Sequence, residues 1–333
     1  MDKKAKNILF MNFGGLGDEI LFLPAIISVK KEFPDSHITL ALEPRSKGIT
    51  TLTNVIDETL TADIKKSGFG KYFELLKLLF KIWTKNFDTV ISSGGNKFIT
   101  LFLFLTFIKK RYGYDTGKLS RLLLTKAVKL NKEQYAAAMY HDLIRDITSN
   151  NTELPEINIG KKETIPNSVL IHPGVSQMSI RKGIIKTISA KTWAEVIEKL
   201  ADKGKKVILA GGPDDEETIK IIAEKVPQEK FENLYGKTKN LKELAELISS
   251  AEIFLCSDSA PLHIAVALGV KTFVIFGSTD DKKLIPQNNL VTPIKNKNCT
   301  CKICPCLWEK RQTTCENPEC LDIKPDEIVN YCL

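Results

Sequence analysis

The chain has no long hydrophobic run. Its most apolar stretch, Phe98–Ile108, has 11 residues, and a membrane-crossing helix needs about 20. No secretory signal is expected. The start, Met1-Asp2-Lys3-Lys4-Ala5-Lys6, is charged and leads into an apolar strand with no small-residue cleavage site. The expectation is a cytoplasmic protein, still free to touch a membrane surface. Two nucleotide motifs are missing. The frame G-x-G-x-x-G opened at Gly15 meets Ile20 where the last glycine belongs. No Gly-Lys-Ser/Thr follows that glycine loop, so it is not a P-loop. No repeat of solenoid period is present.

What is present is ordinary globular composition. The 333 residues are 43% hydrophobic and 26% charged, with 19 Gly and 14 Pro. These values exclude a collagen-like, coiled-coil or largely disordered chain, and the length predicts two domains. The net charge of +8 is uneven. Residues 1–150 hold 23 Lys+Arg against 15 Asp+Glu, and residues 151–333 hold 25 of each. The first half therefore suits an anionic partner, namely phosphorylated lipid, a membrane surface or nucleic acid, or else carries a solvated lysine-rich surface.

Strand and helix patterns alternate in both halves. Asn7–Phe13 reads as a strand, Glu19–Phe33 as a helix, His37–Glu43 as a strand, Tyr72–Lys85 as an amphipathic helix, Thr89–Ile91 as a short strand and Tyr135–Ile147 as a helix. Tyr72–Lys85 and Phe98–Ile108 could each lie on a membrane surface, and for Phe98–Ile108 a buried core helix is the preferred reading. The polar segment 150–167, with two prolines, reads as the linker. The pattern then restarts with strands at Ser168–His172, Lys206–Ala210, Ile253–Cys256 and Thr272–Phe276, with helices between them. Two such halves imply two doubly wound α/β domains, whose ligands lie beyond the carboxyl ends of the strands.

Residues suited to chemistry follow those strands. Gly14-Gly15-Leu16-Gly17 lets a ligand approach the backbone, with Asp18 near a helix start, where it is either functional or an N-cap. His172-Pro173-Gly174 is followed by Arg181, Lys182 and Lys186, a cluster that suits a diphosphate or forms a surface loop. In Gly211-Gly212-Pro213-Asp214-Asp215-Glu216-Glu217, Glu216 either accepts from a ribose diol or favours a helix start. Asp258-Ser259-Ala260-Pro261-Leu262-His263 opens a helix at proline, with amides available to an anion and His263 one turn in.

Taken in order, these segments resemble glycosyltransferase family 9, the heptosyltransferases of lipopolysaccharide core assembly. The resemblance covers nearly the whole chain. It rests on Gly-Leu-Gly-Asp-Glu-Ile-Leu-Phe-Leu-Pro-Ala-Ile (15–26), His-Pro-Gly (172–174), Leu-Ala-Gly-Gly-Pro (209–213), Gly-Lys-Thr (236–238), Asp-Ser-Ala-Pro-Leu-His (258–263) and Phe-Gly-Ser-Thr-Asp (276–280). It implies a GT-B fold, two Rossmann-like domains facing a cleft. Residues 1–155 would bind the acceptor and 156–333 the nucleotide sugar. It also implies Asp18 as general base, Lys186 on the diphosphate, Glu216 on the ribose, Thr238 near the base, and Asp258, Ser259 and His263 at the diphosphate and sugar. Gly14, Gly15 and Gly17 would form the acceptor-side loop. Where the family has Lys-Arg-Trp-Pro, this chain reads Lys186-Thr187-Ile188-Ser189, after extra residues from Met178 to Ile185. Arg181 and Lys182 therefore compete with Lys186.

The implied reaction is inverting transfer of heptose from ADP-heptose to a lipopolysaccharide core hydroxyl. The partners would be the nucleotide sugar and an anionic glycolipid, with peripheral inner-membrane contact and no nucleic acid. No Asp-x-Asp pair stands near the Asp258 segment, so no catalytic metal and no required cofactor are expected. The alternatives are a family 9 transferase for another nucleotide sugar, a nucleotide-sugar epimerase or hydrolase, and a non-catalytic nucleotide or glycan binder. Six of eight cysteines crowd into 299–320. Cys301, Cys304, Cys315 and Cys320 have the look of a structural zinc knuckle, with reduced packing or adventitious disulfides as the alternatives. Cys256 ends a strand and reads as core.

Overall fold

The computed structural model describes residues 6–160, 162–306, 315 and 318–333. The charged start at residues 1–5 and part of the cysteine-rich tail, residues 307–314, 316 and 317, lie outside them. The chain divides into two compact units, Met1–Asn158 and Ile159–Leu333. The division falls inside the proline-containing 150–167 segment. The Asn158 N–H donates to the Leu52 carbonyl at 2.7 Å, which ties the segment up to that point to the first unit.

The first unit begins with β1 (Asn7–Met11), α1 (Leu16–Glu32), β2 (His37–Leu42) and β3 (Glu58–Thr61). It continues with α2 (Phe69–Trp83), β4 (Thr89–Ser92), α3 (Lys97–Leu105), β5 (Lys110–Tyr114), α4 (Lys118–Leu123), β6 (Lys126–Val128) and α5 (Ala136–His141). Its sheet runs β3-β2-β1-β4-β5-β6 with parallel pairing. β1 is buried from Ile8 to Met11, as a strand covered on both faces must be. One core layer joins Leu9, Met11 and Val90 to Leu75, Leu78 and Ile82 of α2.

The second unit begins with β7 (Ile165–His172), α6 (Gln177–Arg181), α7 (Ala190–Asp202), β8 (Lys206–Leu209), α8 (Glu216–Lys225) and β9 (Glu232–Asn233). It continues with α9 (Leu241–Ser249), β10 (Ala251–Ser257), α10 (Ala260–Leu268), β11 (Thr272–Ile275), α11 (Asp281–Leu284), β12 (Val291–Ile294) and α12 (Pro325–Cys332). Its sheet runs β12-β11-β10-β7-β8-β9, again parallel. Counted within each unit, both sheets have the order 3-2-1-4-5-6 of a dinucleotide-binding fold. The strand order therefore reverses between β1 and β4 and between β7 and β10. Trp193, Val196 and Leu200 of α7 pack on this sheet with Ile328 and Val329 of α12.

Three local readings need correction. Asp18 is not the N-cap of α1. Gly15 takes that place in extended backbone, and Asp18 stands three residues in, its carboxylate accepting the Gly15 N–H. The helix thus starts earlier than Glu19. The predicted helix Tyr135–Ile147 is regular only over Ala136–His141 and tightens into a short 3-10 turn at Asp142–Ile144. The Phe98–Ile108 helix is not a core helix. Ile99, Phe102 and Leu103 are buried, but Phe98, Leu101, Phe104 and Leu105 lie open on the other side, because a single sheet face covers only one stripe of a helix. No helix among the described residues is long and apolar enough to cross a membrane.

Candidate functional site

In the first unit the chemistry gathers where β1 and β4 part. Asn12 and Ser93 follow those strands, and the Ser93 hydroxyl donates to Asn12 Oδ1 at 2.9 Å. Asn12 Oδ1 also accepts the Gly14 N–H, and its Nδ2 donates to the Asp18 carbonyl. This network shapes the glycine loop before α1. The Asp18 carboxylate is held at both oxygens. Oδ2 accepts the Gly15 N–H at 2.8 Å, and Oδ1 accepts the Tyr140 hydroxyl at 3.3 Å. Burial, with the Asp18 charge beside it, pushes the Tyr140 phenol well above its ordinary pKa, so it remains a donor. Gly14 is required by contact, because a Cβ there would meet Asp18 Cβ at 2.3 Å and Oδ2 at 2.6 Å. Glu19 lies beneath, fully buried, with neither carboxylate oxygen hydrogen-bonded. Burial first, and the Asp18 charge second, push its carboxyl well above the usual range.

The second unit repeats the arrangement between β7 and β10. The Ser257 hydroxyl contacts the Pro173 carbonyl and the Thr187 hydroxyl, both at 2.7 Å, across the point where strand order reverses. Asp258 is buried. Its Oδ2 is 2.9 Å from Lys186 Nζ and accepts the Thr279 hydroxyl at 2.7 Å. Burial alone would raise the Asp258 carboxyl. The Lys186 ammonium, the Thr279 hydroxyl and the nearby His263 outweigh it and hold the group below its ordinary value. Lys186 and Thr187 line a cavity of about 220 Å³ together with Gly174, Ile185, Asp214 and Asp215. Of the three basic residues that competed for this place, Lys186 alone lines the cavity, and Arg181 and Lys182 are exposed.

Asp215, also in the cavity wall, faces His172 with Nε2 to Oδ2 at 3.6 Å. Burial lowers the His172 imidazole pKa and raises that of the Asp215 carboxyl, so the surroundings favour the neutral form of each. Asp215 Oδ2 accepts the Gly212 N–H at 2.8 Å, the contact Asp18 makes to Gly15. Glu216 begins α8 in an exposed position. Thr238 is half-buried in the loop after β9, where the Gly236 N–H reaches the Gly211 carbonyl. Ser259 stands at the N-cap position of α10 with no capping bond from its hydroxyl, and His263 is buried within the first turns. The amide reading of this helix start narrows. Pro261 has no N–H, and the Leu262 N–H donates to the Ser259 carbonyl. At most Ser259 and Ala260 are left to meet an anion.

The zinc knuckle is not assembled among the described residues, where no group of three or more His, Cys, Asp or Glu is arranged to hold a metal ion. Cys304 touches Cys301 and Cys320, while Cys315 is exposed. Cys256 is buried core, as its strand position implies.

The profile of glycosyltransferase family 9 (heptosyltransferase) matches residues 75–313, more than half of the chain. The chain belongs to glycosyltransferase family 9. Among its relatives, lipooligosaccharide heptosyltransferase 2 of Campylobacter jejuni subsp. jejuni serotype O:6 is 23% identical over 324 residues, covering 94% of each chain. The crystal structure of a family 9 glycosyl transferase from Veillonella parvula superposes with a TM-score of 0.77 at 20% identity, covering 99% of this chain and 97% of that one. The Escherichia coli heptosyltransferase WaaC with ADP-2-deoxy-2-fluoro heptose gives 0.69 at 18% identity, covering 87% and 93%. The family 9 chain is thus a glycosyltransferase built on two doubly wound α/β units, the GT-B plan.

Several residues at these sites carried no usable signal in the sequence. Tyr140 reaches Asp18 from 122 residues away. Thr279 and Ser257 are short hydroxyls, and the structure alone shows that Thr279 donates to buried Asp258 and that Ser257 reaches Pro173 and Thr187. His172 and Asp215 stand in recognisable motifs, but their pairing depends on the β7–β8 register.

Proposed function

We propose that this family 9 enzyme moves heptose from ADP-heptose to a hydroxyl of a lipopolysaccharide core acceptor, with inversion at the anomeric carbon. Asp18 is the general base. It takes the proton as the acceptor oxygen attacks the anomeric carbon from the face opposite the diphosphate. Such a base contributes about 10²–10⁴ in rate. The Gly15 N–H and the Tyr140 hydroxyl hold the carboxylate in position. As the bond to ADP breaks, charge grows on the diphosphate, and Lys186 with the Ser259 and Ala260 amides meets it. Glu216 binds the ribose, and Thr238 lies by the base. His263 and Asp258 complete the diphosphate and sugar site. The first unit serves the acceptor and the second the donor. The acceptor is lipid-borne, and the enzyme works at the cytoplasmic face of the inner membrane as a peripheral protein.

The observation that carries this reading is Lys186, an ammonium fixed on buried Asp258 at the wall of a 220 Å³ cavity. It is a preorganised counter-charge for a leaving diphosphate. The test is transfer from ADP-heptose to purified core glycolipid, with calorimetry of ADP, UDP and GDP alongside. ADP binds best, and Asp18→Asn lowers kcat by about 10²–10⁴ while ADP affinity stays unchanged. Preference for UDP or GDP would remove the ADP-sugar assignment. Full activity of Asp18→Asn would remove the base.

A further inference from the structure

Helix α2 has two apolar stripes where a surface helix of a globular unit needs one. Leu75, Leu78, Leu79 and Ile82 face the core. On the other side Phe69, Tyr72, Phe73, Leu76, Phe80 and Trp83 are exposed, Phe69 to 93% and Phe80 to 61%. This second stripe continues onto α3. Tyr72 meets Phe98 edge-on at 6.4 Å, Trp83 stacks on Phe107 at 5.9 Å, and the Trp83 indole N–H donates to the Leu105 carbonyl at 3.0 Å. Beyond it, α4 packs on α3 and exposes Leu119 and Leu122. Such a continuous apolar face marks a contact surface.

Charge identifies what covers it. Residues 66–111 hold nine Lys+Arg and two acids, so most of the chain's net charge of +8 lies in the segment that carries α2 and α3. One of the acids, Glu74, is neutralised by Lys66 at 2.9 Å and Lys77 at 3.9 Å. Lys71 lies over the Phe98 ring at 5.4 Å, Lys77 over Phe73 at 4.3 Å and Arg111 beside Phe104 at 5.8 Å. Cationic groups thus lie against the aromatic rings of the face itself, the mixture of basic and aromatic side chains that a bilayer interface takes. A second copy of this chain docked face to face would bring these cations against one another.

We infer that the α2–α3–α4 face is a membrane-docking surface that seats in the interfacial layer of a bilayer rich in anionic phospholipid. Aromatic side chains enter the acyl boundary and the lysines reach the headgroup phosphates. The inference deepens the reading of a lipid-borne acceptor given above and rests on it.

The test is sedimentation of the full chain with vesicles of neutral phosphatidylcholine and with vesicles containing phosphatidylglycerol. The protein is expected to bind the anionic vesicles, to leave them as salt rises and to ignore the neutral ones. Lys77→Glu/Lys81→Glu is expected to weaken partitioning at least tenfold, since each interfacial cation is worth roughly fivefold. Phe73→Ser/Phe80→Ser is expected to abolish it. All four positions are open to solvent, and both variants keep wild-type thermal unfolding and wild-type transfer to a detergent-dispersed acceptor. Failure of the wild type to bind anionic vesicles overturns the proposal, as does binding that survives both variants. Self-association that the serine variant abolishes, without vesicle binding, shows that a second copy covers the face, and it also overturns it. Transfer is read separately. An inactive protein that still binds vesicles removes the heptosyl reading and leaves the surface standing, whereas an active one that binds none does the reverse.

Discussion

Two adjacent carboxylates, Asp18 and Glu19, differ in surroundings more than in sequence. Asp18 has an amide and a phenol on its oxygens, while both Glu19 oxygens are buried without a hydrogen-bond partner. A folded-state carboxyl with a raised pKa binds its proton more tightly than the unfolded chain does. Its contribution is present below the unfolded value and is lost as pH rises through the window up to the folded value. Glu19, raised by burial first and the Asp18 charge second, therefore weakens the fold progressively above the ordinary carboxylate range. Glu19→Gln keeps the shape and removes the titration. The variant is expected to unfold at the wild-type temperature near pH 4, and to be the more stable protein at pH 8 by a few degrees, about 2–4 °C per kcal/mol. Thermal melts across that range decide it. Parallel pH profiles for the two proteins would show that Glu19 does not titrate differently on folding. At this scale a carboxylate in a glycine loop was visible in the sequence, and so was a lysine where the family has Lys-Arg-Trp-Pro. The buried neighbour and the remote phenol were not, because burial and long-range contact leave no mark on local spacing.

The glycine-rich turns make sense only as strand–turn–helix elements. In the first unit Gly14 makes room for Asp18, whose carboxylate then closes the turn on the Gly15 N–H. In the second, Gly174 and Gly211 make room for Asp215, which closes on the Gly212 N–H. A Cβ at Gly174 would fall 1.4 Å from Asp215 Oδ1. The doublets and the alternation of elements could be read in sequence, since apolar runs and punctuation are local properties. The exposed stripe of α3 could not. An apolar helix of 11 residues looks the same whether one face or both are covered, and the sheet supplies only one cover. The turn argument predicts a sharp contrast. Gly14→Ala must push Asp18 off its amide, so it lowers transfer about as much as losing the base, about 10²-fold or more, with ADP affinity unchanged. Gly15→Ala meets nothing nearer than Asp18 Oδ2 at 3.7 Å and has an ordinary helix-entry backbone with φ −81°, so it stays active. Steady-state kinetics of the pair test this, and equal activities would detach the turn from the base.

Across the whole molecule the same strand order occurs twice without a repeat in sequence, and each unit places its polar network where that order reverses. Asn12 meets Ser93 in one unit, and Pro173 meets Ser257 in the other. Every residue assigned to the donor lies between Lys186 and His263, inside the compact unit Ile159–Leu333. That unit has its own core, from Val169 and Trp193 to Cys332. The fragment 159–333 is therefore expected to fold alone and to bind ADP with a Kd within about threefold of the full chain, a difference under 1 kcal/mol, while transferring no sugar. Lys186→Met in that fragment is the wrong control by itself. It leaves Asp258 buried and unpaired at a cost of about 3–5 kcal/mol, so lost binding would be confused with lost fold. Lys186→Met/Asp258→Asn removes both charges together, and the doubly substituted fragment should melt near the parent and fail to bind ADP. Calorimetry on the two fragments, with melting curves beside it, separates the cases. A folded parent fragment that does not bind ADP would mean that the first unit supplies donor contacts. A doubly substituted fragment that still binds would take the diphosphate away from Lys186.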